Sequence, residues 1–336
     1  MMSSKKARRF SIPGPYMIIF GLVVLLFLLV DVFKVNNYTG EFVFLSPGNL
    51  LNVLNQASLY AIIGFGMTLV IIIAGIDLSV GSLIALSGVL VSMFQINVGL
   101  PLWLCIFIAL VAGVLVGSFH GFLIEQFSIP AFVVTLGGMI FYRGLALVLV
   151  DGNPVFNDNS AFLFIGNGSI LGIPFPIFIL VVVFAGFHYL LKYTQFGRFV
   201  YAVGGNEEAA RLSGISIYRV KIIVHALCSL SAMVSGIILA SRLGSGQPLA
   251  GNTWELYVIT AVIIGGTSLS GGIGSIPWTL AGAVIFGLIN NGMNLLDIVP
   301  YYQWVIRGAV ILVAVAIKET SVQRSAHEHR LISSSG

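Results

Sequence analysis

Val203-Gly204-Gly205-Asn206-Glu207-Glu208-Ala209-Ala210-Arg211-Leu212-Ser213-Gly214-Ile215 is a polar island in a chain that is otherwise mostly oil. Two glycines free the backbone at its start, and Asn206 is a strong helix N-cap. Glu207 and Glu208 follow in the first turn, where the helix dipole favours negative charge. Ala209, Ala210 and Leu212 offer a short apolar face, and Gly214 can end the helix in a left-handed conformation. The spacing predicts about two helical turns, too few to be stable in water without support. Such a segment either docks into a partner or is a plain connection with one helical turn; spacing alone fits both.

On both sides of the island lie long apolar runs. The chain has 336 residues, 58% hydrophobic and 8% charged, with a mean hydropathy of +1.03. Soluble domains carry about 25% charged residues, so the composition predicts an all-α membrane protein. A membrane-crossing helix needs about 20 apolar residues. Runs near that length fall at 16–34, 50–74, 80–96, 102–124, 130–150, 176–192, 221–241, 256–270, 277–296 and 301–318, of which the third and eighth are short. About ten transmembrane helices follow, within a membrane domain 16–318, flanked by a polar N-terminal segment 1–15 and a polar tail 319–336.

Ten spans place both termini on one side. With the basic N-terminus in the cytoplasm, the inner loops are 75–79, 125–129, 193–220 and 271–276. Lys5, Lys6, Arg8, Arg9, Lys192, Arg198, Arg211, Arg219, Lys221, Lys318, Arg324 and Arg330 then lie inside, and only Lys34 and Arg242 outside; Arg143 and Arg307 fall within spans. That asymmetry is what membrane topology requires. The 16 Lys and Arg and net charge of +4 are thus spread by topology, with no nucleic-acid patch. The island sits in the longest cytoplasmic loop. The N-terminal run resembles a signal peptide but is long and lacks a small-residue cleavage site, so it reads as an uncleaved first span. The loops 35–49 and 151–175 are too small for a separate domain. Cys105 and Cys228 lie in apolar runs and read as buried small side chains. His327 and His329 belong to a solvated tail.

Two glycine-broken segments interrupt the spans, Ile73-Ala74-Gly75-Ile76-Asp77-Leu78-Ser79-Val80-Gly81-Ser82 and Ile264-Gly265-Gly266-Thr267-Ser268-Leu269-Ser270-Gly271-Gly272. Paired breaks in two halves of a transporter point to a solute pathway, and the two align as a short internal repeat. Asp77 and Ser79 either cap the helix starting at Val80 or line that pathway. Arg143 faces a polar cavity or pairs with a carboxylate on another span. Asn52, Asn55 and Gln56 share one helical face, as do Asn290 and Asn294 beside Asn291. Such amides suit hydroxylated solutes, but they also suit hydrogen bonds between helices. His120, His188 and His225 show no metal-ligand spacing. Gly282, Gly287 and Gly292 fit close helix packing.

No Gly-x-x-x-x-Gly-Lys, His-Glu-x-x-His or Gly-x-Ser-x-Gly occurs, so the sequence gives no cofactor, metal or catalytic group. Uphill transport would need ions or a separate ATPase; a self-contained carrier or channel using Asp77 is the alternative to a permease served by a partner.

The motifs that carry a family likeness run in order. They are Met67-Thr68-Leu69-Val70 leading into Gly75–Ser82, Thr135-Leu136-Gly137 with Tyr142-Arg143-Gly144-Leu145-Ala146, and Gly152-Asn153-Pro154. They continue with Phe196-Gly197-Arg198, Tyr201–Ile215, Gly265–Gly272 and Asn290-Asn291-Gly292-Met293-Asn294-Leu295-Leu296. Over roughly 45–320 the chain resembles ribose-type ABC importer permeases. The resemblance implies two permease copies, or one with a sister permease, around a central pathway in the inner membrane. It also implies a cytoplasmic ATPase with two nucleotide-binding modules and an extracytoplasmic sugar-binding protein. The ATPase-coupling segment would be Gly204–Gly214, and the solute a monosaccharide such as ribose.

Overall fold

A computed structural model describes residues 43–44 and 46–313. The expected first span, the N-terminal segment and the tail lie outside the described residues. The described residues are almost wholly helical, with four two-residue strands among them. Among the described residues six helices are long and apolar enough to cross a membrane: α1 (Pro47–Ile72), α3 (Leu102–Gln126), α4 (Ala131–Val148), α6 (Phe175–Tyr193), α9 (Ile217–Leu243) and α11 (Ile276–Leu295). Two apolar helices are shorter, α2 (Val80–Ile96) and α10 (Trp254–Ile264). Three more are short and lie between them: α5 (Ser160–Asn167), α7 (Gln195–Gly205) and α8 (Glu207–Leu212). Residues 300–313 are also helical.

The core forms around α1, from Leu59 to Ile72, and around α9, which packs along α1, α2 and α3. Glycines make those contacts close. A methyl on Gly117 or Gly121 of α3 would collide with the α9 backbone at His225 or Ile222, and one on Gly282 of α11 with Ala261. Backbone approach of this kind replaces hydrophobic driving force between helices in lipid. Gly282 thus acts as expected, and Gly287 packs on the Ala57 side chain, where an added methyl would stand 3.1 Å from the Ala57 Cβ.

The two short apolar helices are short because the chain crosses part of the bundle in extended form. After α1 ends at Ile72, residues 73–79 carry no helix. They climb back among the helices, where the Thr135 hydroxyl accepts from the Leu78 N–H at 3.1 Å and lies 3.0 Å from the Ile76 carbonyl. Arg143 meets the Gly81 carbonyl, and Arg143 stands 143 − 131 = 12 residues along α4 from Ala131. At 1.5 Å per residue that is about 18 Å from the helix start, so α2 begins deep inside.

The second half mirrors this. Beyond α9, Ser245–Gly246 pairs antiparallel with Val155–Phe156, giving the registers Val155↔Gly246 and Phe156↔Ser245. The chain then turns inward along α2: Gly246 rests on the backbone of Gly88, and Gly251 on that of Gly81. There α10 starts and runs the opposite way, its end at Gly265 packing on Trp278 near the start of α11. Two helix beginnings therefore meet inside the bundle. A methyl on Gly81 would strike both the Glu255 carboxylate and the Gly251 carbonyl.

This corrects two expectations. The run 256–270 is not one span: it breaks at Gly265 and Gly266, the latter at φ +87°. The internal repeat does not pair 75–82 with 265–272. Instead 265–272 is a loop at the end where α1 finishes, the Gly272 N–H donating to the Ile72 carbonyl at 2.8 Å. The structural counterpart of the 73–79 break is the inward stretch 247–253, which hydropathy reads as an ordinary outer connection.

Candidate functional site

Three polar places result: the short helix α8, the break at Asp77, and a cleft beside α1. Asn206 caps α8, its side chain accepting from the Ala209 N–H at 2.9 Å, and Gly214 closes it at φ +81°. The expected apolar face does not form as one surface. Ala210 is buried, whereas Ala209 is exposed and Leu212 is 81% exposed. Six residues cannot turn all three apolar groups inward while the charged side also faces the bundle.

That charged side is the anchor. Lys221 on α9 bonds Glu125 on α3 at 2.7 Å and Glu207 at 3.0 Å, while Arg211 bonds Glu207 at 3.2 Å and Glu125 at 3.3 Å. Two carboxylates and two cations close a ring that ties α8 to two long helices. Lys221 and Glu125 are the shielded members, at 14% and 15% side-chain exposure; the Arg211 bonds lie in solvent and contribute little. Glu125 was not among the expected residues. Its only hint was a carboxylate at the end of an apolar run.

The glycine pair before α8 divides its labour. A methyl on Gly204 would collide with the Ile72 carbonyl, whereas one on Gly205 would meet nothing within 4 Å. Gly204 is a packing residue. Gly205, Asn206, Glu208, Ala209, Arg211, Leu212, Ser213 and Gly214 present an exposed surface, with Glu207 half-buried. Nearby, Tyr201 donates its hydroxyl to the Gly274 carbonyl at 2.6 Å, and burial raises its pKa, which keeps the donor proton in place.

At the break, one oxygen of Asp77 accepts from both the Ser79 N–H (2.9 Å) and the Ser79 hydroxyl (2.6 Å). Ser79 itself is the N-cap residue of α2, without a side-chain cap bond. Asp77 is wholly buried, and among the described residues no hydrogen bond to its second oxygen forms at standard geometry. Arg143 holds no carboxylate directly. Its guanidinium donates to the carbonyls of Pro248 (2.8 Å), Ala250 (2.7 Å) and Gly81 (3.0 Å). It thereby pins both extended stretches where the half-helices meet.

The two amide stripes separate. Asn290 and Asn294 serve the helices: the Asn290 carbonyl oxygen accepts from Arg307 at 2.7 Å, and that of Asn294 from Gln303 at 3.0 Å. Asn52, Asn55 and Gln56 instead line a cleft of about 390 Å³ with Tyr60, Arg242 and Trp254. Tyr60 shares the helix of the amides, but Arg242 and Trp254 lie far along the chain from them, so no single window reveals the whole cleft. His120 bonds Tyr142 at 3.1 Å, His225 the Lys221 carbonyl at 2.9 Å, and His188 stacks on Phe184. Both cysteines are buried and free. Among the described residues no group of three or more His, Cys, Asp or Glu is placed to hold a metal ion.

Residues 49–315 match the family described as branched-chain amino acid transport system / permease component. The chain is 48% identical over 276 residues to the ribose import permease protein RbsC of Haemophilus influenzae, covering 81% of this chain and 85% of that one. It is 44% identical over 294 residues to RbsC of Bacillus subtilis, covering 87% and 90%. It is 34% identical over 349 aligned positions to the xylose transport system permease protein XylH of Escherichia coli, covering 86% and 89%. No solved structure matches.

Proposed function

The chain belongs to the permease-component family of the branched-chain amino acid transport system, and from that premise we propose that it is the membrane subunit of an ATP-binding-cassette importer for a monosaccharide, ribose first. It is a multi-pass transport component and not an enzyme. Its relatives are named for ribose and xylose, both neutral pentoses. The inner membrane holds it through ten spans, with both termini cytoplasmic and membrane lipid around the bundle. ATP is hydrolysed on a cytoplasmic partner with two nucleotide-binding modules. An extracytoplasmic binding protein delivers the sugar, and a second permease copy or a sister permease completes the pathway.

The observation that carries the ATP-driven reading is α8. A six-residue helix exposes Ala209 and Leu212 while an ion-pair ring fixes it to α3 and α9. A short helix exposed on one side and anchored on the other transmits force between a partner and the spans. In this reading Gly205–Gly214 contact the ATPase, and Gly204 sets their approach. The arrangement at Asp77 favours helix support over the ion-coupled alternative, because both donors of Ser79 converge on one carboxylate oxygen.

Purified in lipid, the chain should hydrolyse no ATP. Reconstitution with its ATPase should give turnover that rises with sugar-loaded binding protein. Uptake that persists in cells when ATP is depleted and a proton gradient is kept would transfer the assignment to an ion-coupled carrier.

A further inference from the structure

The cleft beside α1 holds more unused hydrogen-bonding capacity than any packing role explains. The side-chain amide oxygen of Asn55 is buried and has no partner among the described residues. Among the described residues, no side-chain hydrogen bond or ion pair engages Asn52, Gln56 or the Arg242 guanidinium. Two rings stand beside them, Tyr60 and Trp254, with centroids 4.8 Å apart and planes inclined at 49°. Asn52 is exposed and Gln56 and Arg242 are half-buried, so these groups open into the cleft; the buried amide oxygen of Asn55 beside them is of a kind that is nearly always satisfied, and it points to a ligand.

We propose that this cleft is a monosaccharide site of the permease itself. Arg242 grips a vicinal diol, Asn52, Asn55 and Gln56 read the remaining hydroxyls, and Trp254 with Tyr60 covers the apolar face of the sugar ring. The proposal rests on the reading of the chain as a monosaccharide importer and assigns that solute a place within it.

The chemistry matches part by part. A guanidinium presents parallel N–H donors in a fixed fork, which fit two adjacent hydroxyl oxygens as they fit two carboxylate oxygens. An amide both donates and accepts, as a hydroxyl does. A sugar ring is polar at its edge and carries C–H groups on its faces, which an aromatic ring covers. A free phosphate or sugar acid fits less well, because the cleft sets one cation among three neutral amides. The volume suits a single small ligand. Position adds a mechanism: Trp254 begins α10, and the next residue, Glu255, meets Gly81 where the two helix beginnings close the bundle. A bound sugar would rest against that closure from the side of the strand pair Val155–Phe156 and Ser245–Gly246.

The test is equilibrium dialysis of the full chain in lipid nanodiscs with labelled ribose, 2-deoxyribose competing, and uptake in cells carrying the same variants. The wild-type chain should bind ribose saturably and prefer it to 2-deoxyribose, which lacks the 2,3-diol. Arg242→Gln should remove that preference, about tenfold, equal to the loss of one good contact. Arg242→Lys, which keeps the charge without the fork, should remove it as well and covers the case in which Gln fails to fold. Trp254→Ala should weaken both sugars equally.

Equal binding of ribose and 2-deoxyribose by the wild type overturns the proposal. So does tighter binding of ribose 5-phosphate or ribonate than of ribose. Absence of saturable binding, in cells whose ribose uptake still requires the chain, removes this site and leaves the importer standing. Ribose uptake that survives deletion of the chain sinks the importer reading instead.

Discussion

At Asp77 the question is whether a buried carboxylate is kept for its charge or for its shape. Both Ser79 donors reach the same oxygen, and an amide oxygen can accept them equally well. Asp77→Asn should therefore keep membrane abundance and sugar uptake close to wild type. Asp77→Leu leaves a buried N–H and hydroxyl without an acceptor, at about 1–3 kcal/mol for each, and should lower the unfolding midpoint of the purified chain. Equal loss of uptake in both variants, at normal abundance, would mean that the charge is used. The residue was legible in the sequence because an acid within an apolar run stands out. The three carbonyl partners of Arg143 were not, since two of them lie more than a hundred residues away in the chain.

Among the elements, α8 was the most legible and the half-helices the least. The cap at Asn206, the acids after it and the left-handed Gly214 are all local, so one short window shows where the helix starts and stops, although its anchoring to α3 and α9 is not local. A break such as 247–253 depends on close backbone contact with α2, and hydropathy cannot tell extended buried chain from loop. The glycines before α8 supply a paired prediction. Gly205→Trp or Ala209→Arg should leave the protein folded but fail to support ATPase-driven transport, because their side chains enter open space. Gly204→Ala should instead lower abundance, since its methyl meets the Ile72 carbonyl. Pull-down of the ATPase and quantitation of the chain in membranes separate the two effects. Normal transport by Gly205→Trp would reduce α8 to a passive connection.

Orientation is a property of the whole molecule, and the protein is well suited to measuring it. Both native cysteines are fully buried, so a membrane-impermeant thiol reagent should meet almost no background. Leu212 is 81% exposed and Leu171 is 96% exposed. Leu171→Cys should label in intact cells freed of their outer barrier, and Leu212→Cys only after the membrane is opened. The reverse pattern would invert the topology and place α8 away from any cytoplasmic ATPase.

The half-helices also bear on how the chain is made. An isolated α10 of 11 residues reaches about 16 Å, roughly half of a hydrocarbon layer. The insertion machinery weighs segments as they emerge, and this one is too short to partition into lipid by itself. It must wait for α11 and enter with it as a hairpin, folding 247–253 inward behind it. A nascent chain stopped after residue 275 should therefore leave α10 outside the bilayer, and one extended through α11 should carry it in. Protease protection of chains arrested at the two lengths would distinguish this order from independent insertion.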